Sequence, residues 1–209
     1  MKREEQIAIK LREVCQGGGG HAGSLVSHDS LEEMFSLARE MGFVDVQLLK
    51  ASDIVTARWV GLKCRYGCAN YDTSWCCPPA APDLESMRDL LSEYDSAVLL
   101  TSENTNEHFY RNSAEKRRMQ IKHWKSVVAM ERRLFLMGYY KAFGLPAAAC
   151  ALCKECAYPK QCKFPNEKRP SMEACSIDVF QTLKRVGKWA GLVQNVEDCY
   201  QTYSLILLG

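Results

Sequence analysis

The sequence has almost no net charge: 27 Lys and Arg stand against 25 Asp and Glu, leaving +2 over 209 residues. A general nucleic-acid binder carries a strongly basic footprint, so the balance argues against nucleic acid as a partner. No apolar run approaches the roughly 18 residues that a membrane helix needs, and no membrane association is expected. The N-terminal MKREEQIAIKLREVC mixes acids with bases and has no continuous apolar stretch of the kind a signal peptide carries. The expected compartment is therefore cytoplasmic. A Walker loop, a G-x-G-x-x-G turn and an H-E-x-x-H helix are all missing. The GGGG at 17–20 is not followed by Lys-Ser/Thr, so it gives no support for phosphate binding. What the chain has in quantity is cysteine, eleven in all. Disulfides do not persist in a reducing compartment, so these thiols need another use.

The length and the 47% apolar content suffice for one domain with a buried core. Residues 1–29 read as an N-terminal helix followed by a glycine-rich, flexible linker, and 30–209 as a single cysteine-rich metal-binding domain. Ser30 with Glu33 reads as a capping box that opens a helix ending at Gly42. Strands are expected at Phe43–Leu49, Ile54–Leu62, Ser96–Thr101, Gly191–Val196 and Tyr203–Leu208. Ser96–Thr101 is wholly apolar in its middle, the pattern of a central strand. Helices are expected from Asp83 to Glu93, from Asn104 to Phe143 with Gly144 and Pro146 ending it, and from Ser171 to Gly187. Strands and helices alternate, so the fold class is α/β or α+β: a central mixed sheet flanked by helices, with two cysteine-rich loops.

The second loop is Cys150-x2-Cys153-x2-Cys156-x5-Cys162, with Pro165 close behind. A C-x2-C-x2-C run lets three thiolates of one tight turn converge on one face, as ferredoxin loops do around a four-iron cluster, and Cys162 can complete the set. Lys154, Lys160, Lys163, Lys168 and Arg169 outnumber Glu155 and Glu167 around it, which suits an anionic cofactor. Structural zinc also takes four Cys, but usually from two separated knuckles, so the spacing favours a 4Fe-4S cluster over zinc.

The first loop holds Cys64, Cys68, Cys76 and Cys77, with Pro78-Pro79 stiffening its exit. Adjacent residues of an extended stretch point to opposite sides, so Cys76 and Cys77 do not suit the same metal, and Cys77 before Pro is the better ligand. Cys64, Cys68 and Cys77 then form a three-thiolate site whose fourth iron position stays open to a small molecule. A fourth ligand from Cys76 or elsewhere, a zinc site and a redox dithiol stay open as alternatives. The radical S-adenosylmethionine pattern is absent, because no third Cys follows the C-x3-C two residues on. Cys15, Cys175 and Cys199 read as ordinary core thiols.

At KCRYGCANY…CCPP and at CKFP…RPSMEAC-SIDV the sequence resembles a prokaryotic predicted metal-binding protein family, a domain of unknown function frequent in anaerobic bacteria and archaea. Lys63, Cys64, Gly67, Cys68, Tyr71, Cys77, Pro78 and Pro79 match its first motif. The four Cys of the second loop, Arg169–Ala174 and Ile177–Val179 match its second. The resemblance spans roughly residues 40–209 and implies metal ligation by both loops without implying a reaction. Cys76 is an extra thiol, and Ser176 stands where the family has Gly, which bears on how closely the backbone can approach there.

Around the thiols, Lys63, Arg65, Tyr66, Tyr71 and Trp75 can shield a cluster or orient a substrate. Glu173 suits a helix start and Arg169 a carboxylate or a cluster sulfur, while acid–base catalysis is the lesser reading of both. The long helix carries Arg117, Arg118, Lys122, Lys125, Arg132 and Arg133, read by default as a solvated face. His21 and His28 lack a second ligand pair and read as linker. The expected function is an iron–sulfur protein in redox chemistry or electron transfer, meeting a redox partner protein or a small-molecule substrate. An enzyme with an open iron and a pure electron carrier both fit this expectation, and a structural zinc module that binds a partner is the alternative.

Overall fold

The computed structural model describes residues 28–105, 113–188 and 199–209. The expected N-terminal helix and linker, Cys15, His21 and the Gly191–Val196 strand lie outside the described residues. Helix α1 spans His28–Glu40 and buries Leu31, Met34, Leu37 and Ala38. It starts two residues before Ser30, so that serine lies in the first turn and not at the cap, a boundary shift ordinary for helix ends. Its other end closes at Gly42, with φ +91: Gly42 N–H donates to Arg39 O at 2.9 Å and Phe43 N–H to Ala38 O at 3.0 Å.

Strand β1, Asp45–Lys50, leads through a 3-10 turn, Ala51–Asp53, into a segment expected to be a strand. Among the described residues, the β-branched Ile54, Val55 and Thr56 form one isolated bridge, between Thr56 and Ile177. From Arg58 the chain is helical instead, and α2 runs Arg58–Gly67 with Val60 inward and Trp59, Leu62 and Tyr66 exposed. Helix α3, Leu84–Ser92, is capped by Asp83, whose carboxylate accepts from Ser86 N–H at 2.8 Å.

Strand β2 spans Ser96–Thr105 and is longer than expected. Its polar end, of which Asn104 and Thr105 were expected to start the long helix, pairs instead with the start of the last strand, down to Thr105 opposite Cys199. Helix α4 covers Ser113–Leu136 and ends at Gly138 (φ +103), where Tyr139 N–H donates to Leu134 O, rather than at Gly144. Gly144 belongs to β3, Phe143–Leu145. The helix expected from Ser171 is a 3-10 turn, Glu173–Cys175, stopped by Ser176 at φ +59; α5 restarts at Val179 and runs to Arg185, capped by Asp178. Strand β4 is Cys199–Leu208.

The sheet order is β1-β2-β4-β3, and all three pairs are antiparallel. Mixed α and β structure is thus present, but the sheet among the described strands is antiparallel and not mixed. Both faces are covered. Val98, Leu100, Ile206 and Leu208 meet α1 and α4, while Ala97, Leu99, Leu205 and Leu207 meet α3, α5 and the Met172–Ile177 turn. This two-sided burial explains the uninterrupted apolar run in β2.

Helix α4 serves two surfaces. Val127, Met130 and Leu134 face the sheet, and Trp124 and Val128 form a separate small core with Cys76 and Leu152 beneath the cysteine loops. Phe135 is exposed. His123 lies between strand and loop: Nδ1 is 3.1 Å from Ser102 Oγ and Nε2 is 2.8 Å from Ser204 Oγ, which also accepts Ala147 N–H. Among the described residues no helix is long and apolar enough to cross a membrane.

Candidate metal centre

Because α2 replaces the expected strand, Cys64 sits in its last turn and Cys68 is its C-terminal cap residue. The x3 spacing therefore brings two thiols to one side of a helix end. The loop that follows is folded back by Asp72 N–H donating to Pro78 O at 2.8 Å, and this returns Cys77 to the same place. Cys77 feels the charges of Cys68, Cys64 and Cys150, and Cys64 those of Cys68 and Glu173. Burial pushes the Cys77 thiol up to about 11, opposed by a hydrogen bond from the Ser74 hydroxyl to its sulfur. Burial also pushes Cys64 up, and its thiol points at the Glu173 carbonyl oxygen, 3.9 Å away.

Glu173 is more than a helix-start charge. Its carboxyl is pushed up by burial, and its Oε2 is shielded from solvent without a hydrogen-bond partner, although other atoms of the residue remain accessible. Ser176 stands where the chain turns left-handed, a conformation that favours glycine. Lys63 lies over the Trp59 ring at 5.2 Å and Arg65 over the Tyr66 ring at 5.5 Å, on the exposed side of α2. The Tyr71 backbone N–H donates to Cys68 O.

The second group has no helix or strand of its own. Side chains of α4 hold it. Trp124 Nε1–H donates to Glu167 O at 2.8 Å, Arg117 to Leu152 O at 3.2 Å and Arg132 to Asn166 O at 3.4 Å, while Lys125 stands 4.0 Å from the Glu167 carboxylate. Two of the six helix cations expected to be merely solvated, Arg117 and Arg132, thus hydrogen-bond the loop; Arg118, Lys122, Lys125 and Arg133 stay exposed. Cys153 has Cys156, Cys150 and Cys162 as its charged neighbours, with Lys163 opposing them. Cys162 Sγ accepts Phe164 N–H at 3.4 Å, and Cys150 Sγ accepts Leu152 N–H. Cys150, Cys153, Cys156 and Cys162 line a cavity of about 550 Å3, and Cys76 is in the same wall.

The two loops are fastened to one another. Trp75 Nε1–H donates to Lys160 O at 2.7 Å, its ring meets Tyr158 edge-on at 5.1 Å, and Lys168 lies 4.8 Å over it. Tyr158 OH donates to Asp72 Oδ1 at 3.2 Å. Cys76 lines the cavity of the four-cysteine loop and Cys77 does not, while Cys77 has Cys68, Cys64 and Cys150 as its charged neighbours. Below the junction, Arg169 makes a two-pronged ion pair with Glu131 at 2.6 and 2.7 Å, and the same carboxylate accepts Gly144 N–H at 2.7 Å. A side chain on Gly144 would meet that oxygen at 3.0 Å.

Glu131, Ser74 and the hydrogen-bonding role of Trp124 were missed in the sequence. Glu131 had a signal, an acid inside the buried stripe of Val127, Val128, Met130 and Leu134. Ser74 had none. Of the remaining thiols, Cys175 is core, with burial pushing it up to about 12, whereas Cys199 is exposed at the start of β4 and not core. Among the described residues no three Cys, His, Asp or Glu side chains converge closely enough to hold one ion as they stand; the second group's thiols are spread around a cavity.

A fold with thiol-rich loops set against a helix-covered sheet has the donor set of a metalloprotein. The chain belongs to the family described as Predicted metal-binding protein (DUF2284), whose model matches residues 47–208. Both thiol groups lie inside that match, and α1 lies outside it. No curated protein and no solved structure matches the chain.

Proposed function

We propose that this is an iron–sulfur protein working in redox chemistry or electron transfer. Cys150, Cys153, Cys156 and Cys162 would hold a closed four-iron cluster, and Cys64, Cys68 and Cys77 a second, three-thiolate one. The observation that carries the reading is the cavity of about 550 Å3 walled by the four-cysteine loop. It offers soft thiolate donors around a volume suited to a cluster rather than around a point. A cluster so held supplies one-electron transfer, at a potential set by its surroundings.

The chain's own residues do the tuning. Leu152 N–H and Phe164 N–H donate to the sulfurs of Cys150 and Cys162, and Ser74 donates to that of Cys77. Lys163 stands by the second group, whereas the buried Glu173 carboxyl stands by the first. Hydrogen bonds and cations favour the more reduced, more negative state, so the second group is the better electron acceptor of the two. Cys68 is exposed, which gives a small-molecule substrate or a redox partner protein a way in to the first group.

Anaerobically purified protein should be brown and carry about eight iron and as much acid-labile sulfide per chain, as two four-iron clusters require. A colourless protein with stoichiometric zinc would end this reading in favour of a structural zinc module.

A further inference from the structure

Helix α2 turns its largest apolar side chains to water. It buries Val60, yet Trp59, Leu62 and Tyr66 are 43%, 57% and 77% exposed. Their i, i+3, i+7 spacing puts them on one face, a stripe about 10 Å long by the helix rise. An apolar helix stripe ordinarily faces a core, and one left in water marks a place where something docks. Trp59 is held in place, because its indole N–H donates to Asp178 Oδ2 at 3.0 Å. It walls an open groove of about 590 Å3 that α5 borders with Lys184 and Arg185.

The charge around the stripe is of one sign. Helix α2 supplies Arg58, Lys63 and Arg65, α5 supplies Lys184 and Arg185, and neither helix contains an Asp or Glu. Glu85 pairs with Arg58, and Asp178 is buried against Trp59. Among the described residues no carboxylate forms an ion pair with Lys63, Arg65, Lys184 or Arg185. A chain of net charge +2 thus gathers unneutralised cations beside its exposed aromatic rings. The same helix ends at Cys68, an exposed thiol of the first group.

We infer that this face of α2 and α5 docks a small electron-carrier protein through an acidic surface of that partner, beside the Cys64, Cys68 and Cys77 group. Cations at the rim steer an acidic partner into register, and the apolar stripe supplies the desolvated centre. A patch this small suits weak electron-transfer encounters, which bury less than about 1,200 Å2 in total. The step moves one electron and breaks no bond: the partner's redox centre is oxidised as a cluster of this chain is reduced, or the reverse. The electron transfer rests on the iron–sulfur reading, and the docking itself does not.

The test titrates the anaerobically prepared full chain with an acidic plant-type ferredoxin and reads binding by calorimetry at low and high ionic strength. Wild type should bind saturably, and more weakly as salt rises. Leu62→Glu should raise Kd about tenfold, as loss of a central anchor does. Lys184→Glu should raise it about threefold at low salt and less at high salt, as a rim charge does. Leu136→Glu, at an equally exposed leucine on a helix without cysteine, should bind as wild type does. A carbodiimide, which joins a lysine to a carboxylate with loss of water, should link Lys63 to the ferredoxin.

No saturable binding by wild type would overturn the inference, as would wild-type binding by Leu62→Glu. Should Leu62→Glu fail to fold, unchanged low-salt binding by Lys184→Glu would do the same. Self-association that Leu62→Glu abolishes would give the stripe to a second copy of the chain, and a link from Lys63 to residues 1–27 would give it to the chain's own N-terminal segment; either overturns it. Zinc without sulfide in the wild type would sink the iron–sulfur reading alone, since the binding and its dependence on Leu62 need no iron.

Discussion

Cys64 and Cys68 stand one turn apart at the end of a helix, whereas Cys150, Cys153, Cys156 and Cys162 lie on a segment with no regular structure. The first pair is positioned by backbone hydrogen bonds that exist whatever the side chains do. The second set depends on side chains of α4, chiefly Trp124, Arg117, Arg132 and the Glu131–Arg169 pair. Electrostatics differ as well, with a buried acid near one group and cations near the other. Two ways of placing thiols thus give two environments side by side, and damage to α4 should reach one group before the other.

The sharpest break of that comparison is a ligand change. Cys153→Ser should leave about four of about eight iron per chain, and Cys64→Ser should remove the other half. Loss of all iron from either variant would show that the groups do not load independently.

Next comes the support of the second group. Glu131→Ala strands Arg169, whose side chain is only 16% exposed, and unpairs Gly144 N–H. The expected loss is about 3–5 kcal/mol in denaturant unfolding, the cost of leaving a buried charge alone. Iron should leave the four-cysteine group first. Equal loss from both groups would contradict the division of labour.

His123 ties α4 to β2 and β4, and burial pushes it down to about 4. Between about 4 and 6.5 the unfolded chain takes a proton that the folded one refuses. Stability is therefore full above that window and falls as pH drops through it, by up to about 3 kcal/mol. The difference between wild type and His123→Gln across the window isolates this effect from thiol protonation. Parallel unfolding curves at pH 7 and pH 5 would refute it.

The smallest effect is expected at the junction. Trp75→Phe removes the bond to Lys160 O, at a cost of about 1 kcal/mol. Amide exchange in residues 157–168 should quicken while that in α2 stays as it was. Unchanged exchange in both would mean that Trp75 does not fasten the loops.

Much of the fold was legible because its signals are local. Gly42 and Asp83 announce helix ends through their own backbone and side-chain chemistry, and the apolar middle of β2 announces burial on both faces. Ile54–Leu62 misled because β-branched residues look the same whether or not a partner strand exists, and among the described residues they make a single isolated bridge, at Thr56. Asn104 and Thr105 misled in the opposite sense, since polar residues become strand when β4 supplies their partner.

By itself the sequence determined that the cysteines fall into a small and a large group, since ligand spacing is written along the chain, and that charge around the large group is locally positive. It also determined the class of structure, through periodicity and caps. Only the tertiary structure decided that the groups are neighbours, that Cys76 lines the cavity of the larger one, and that α4 carries the larger loop. Those outcomes depend on contacts such as Trp75 with Lys160, Arg169 with Glu131 and Trp124 with Glu167, whose partners are from 38 to 85 residues apart. Pairings of that reach leave no spacing pattern to read, because what brings them together is the packing of everything between.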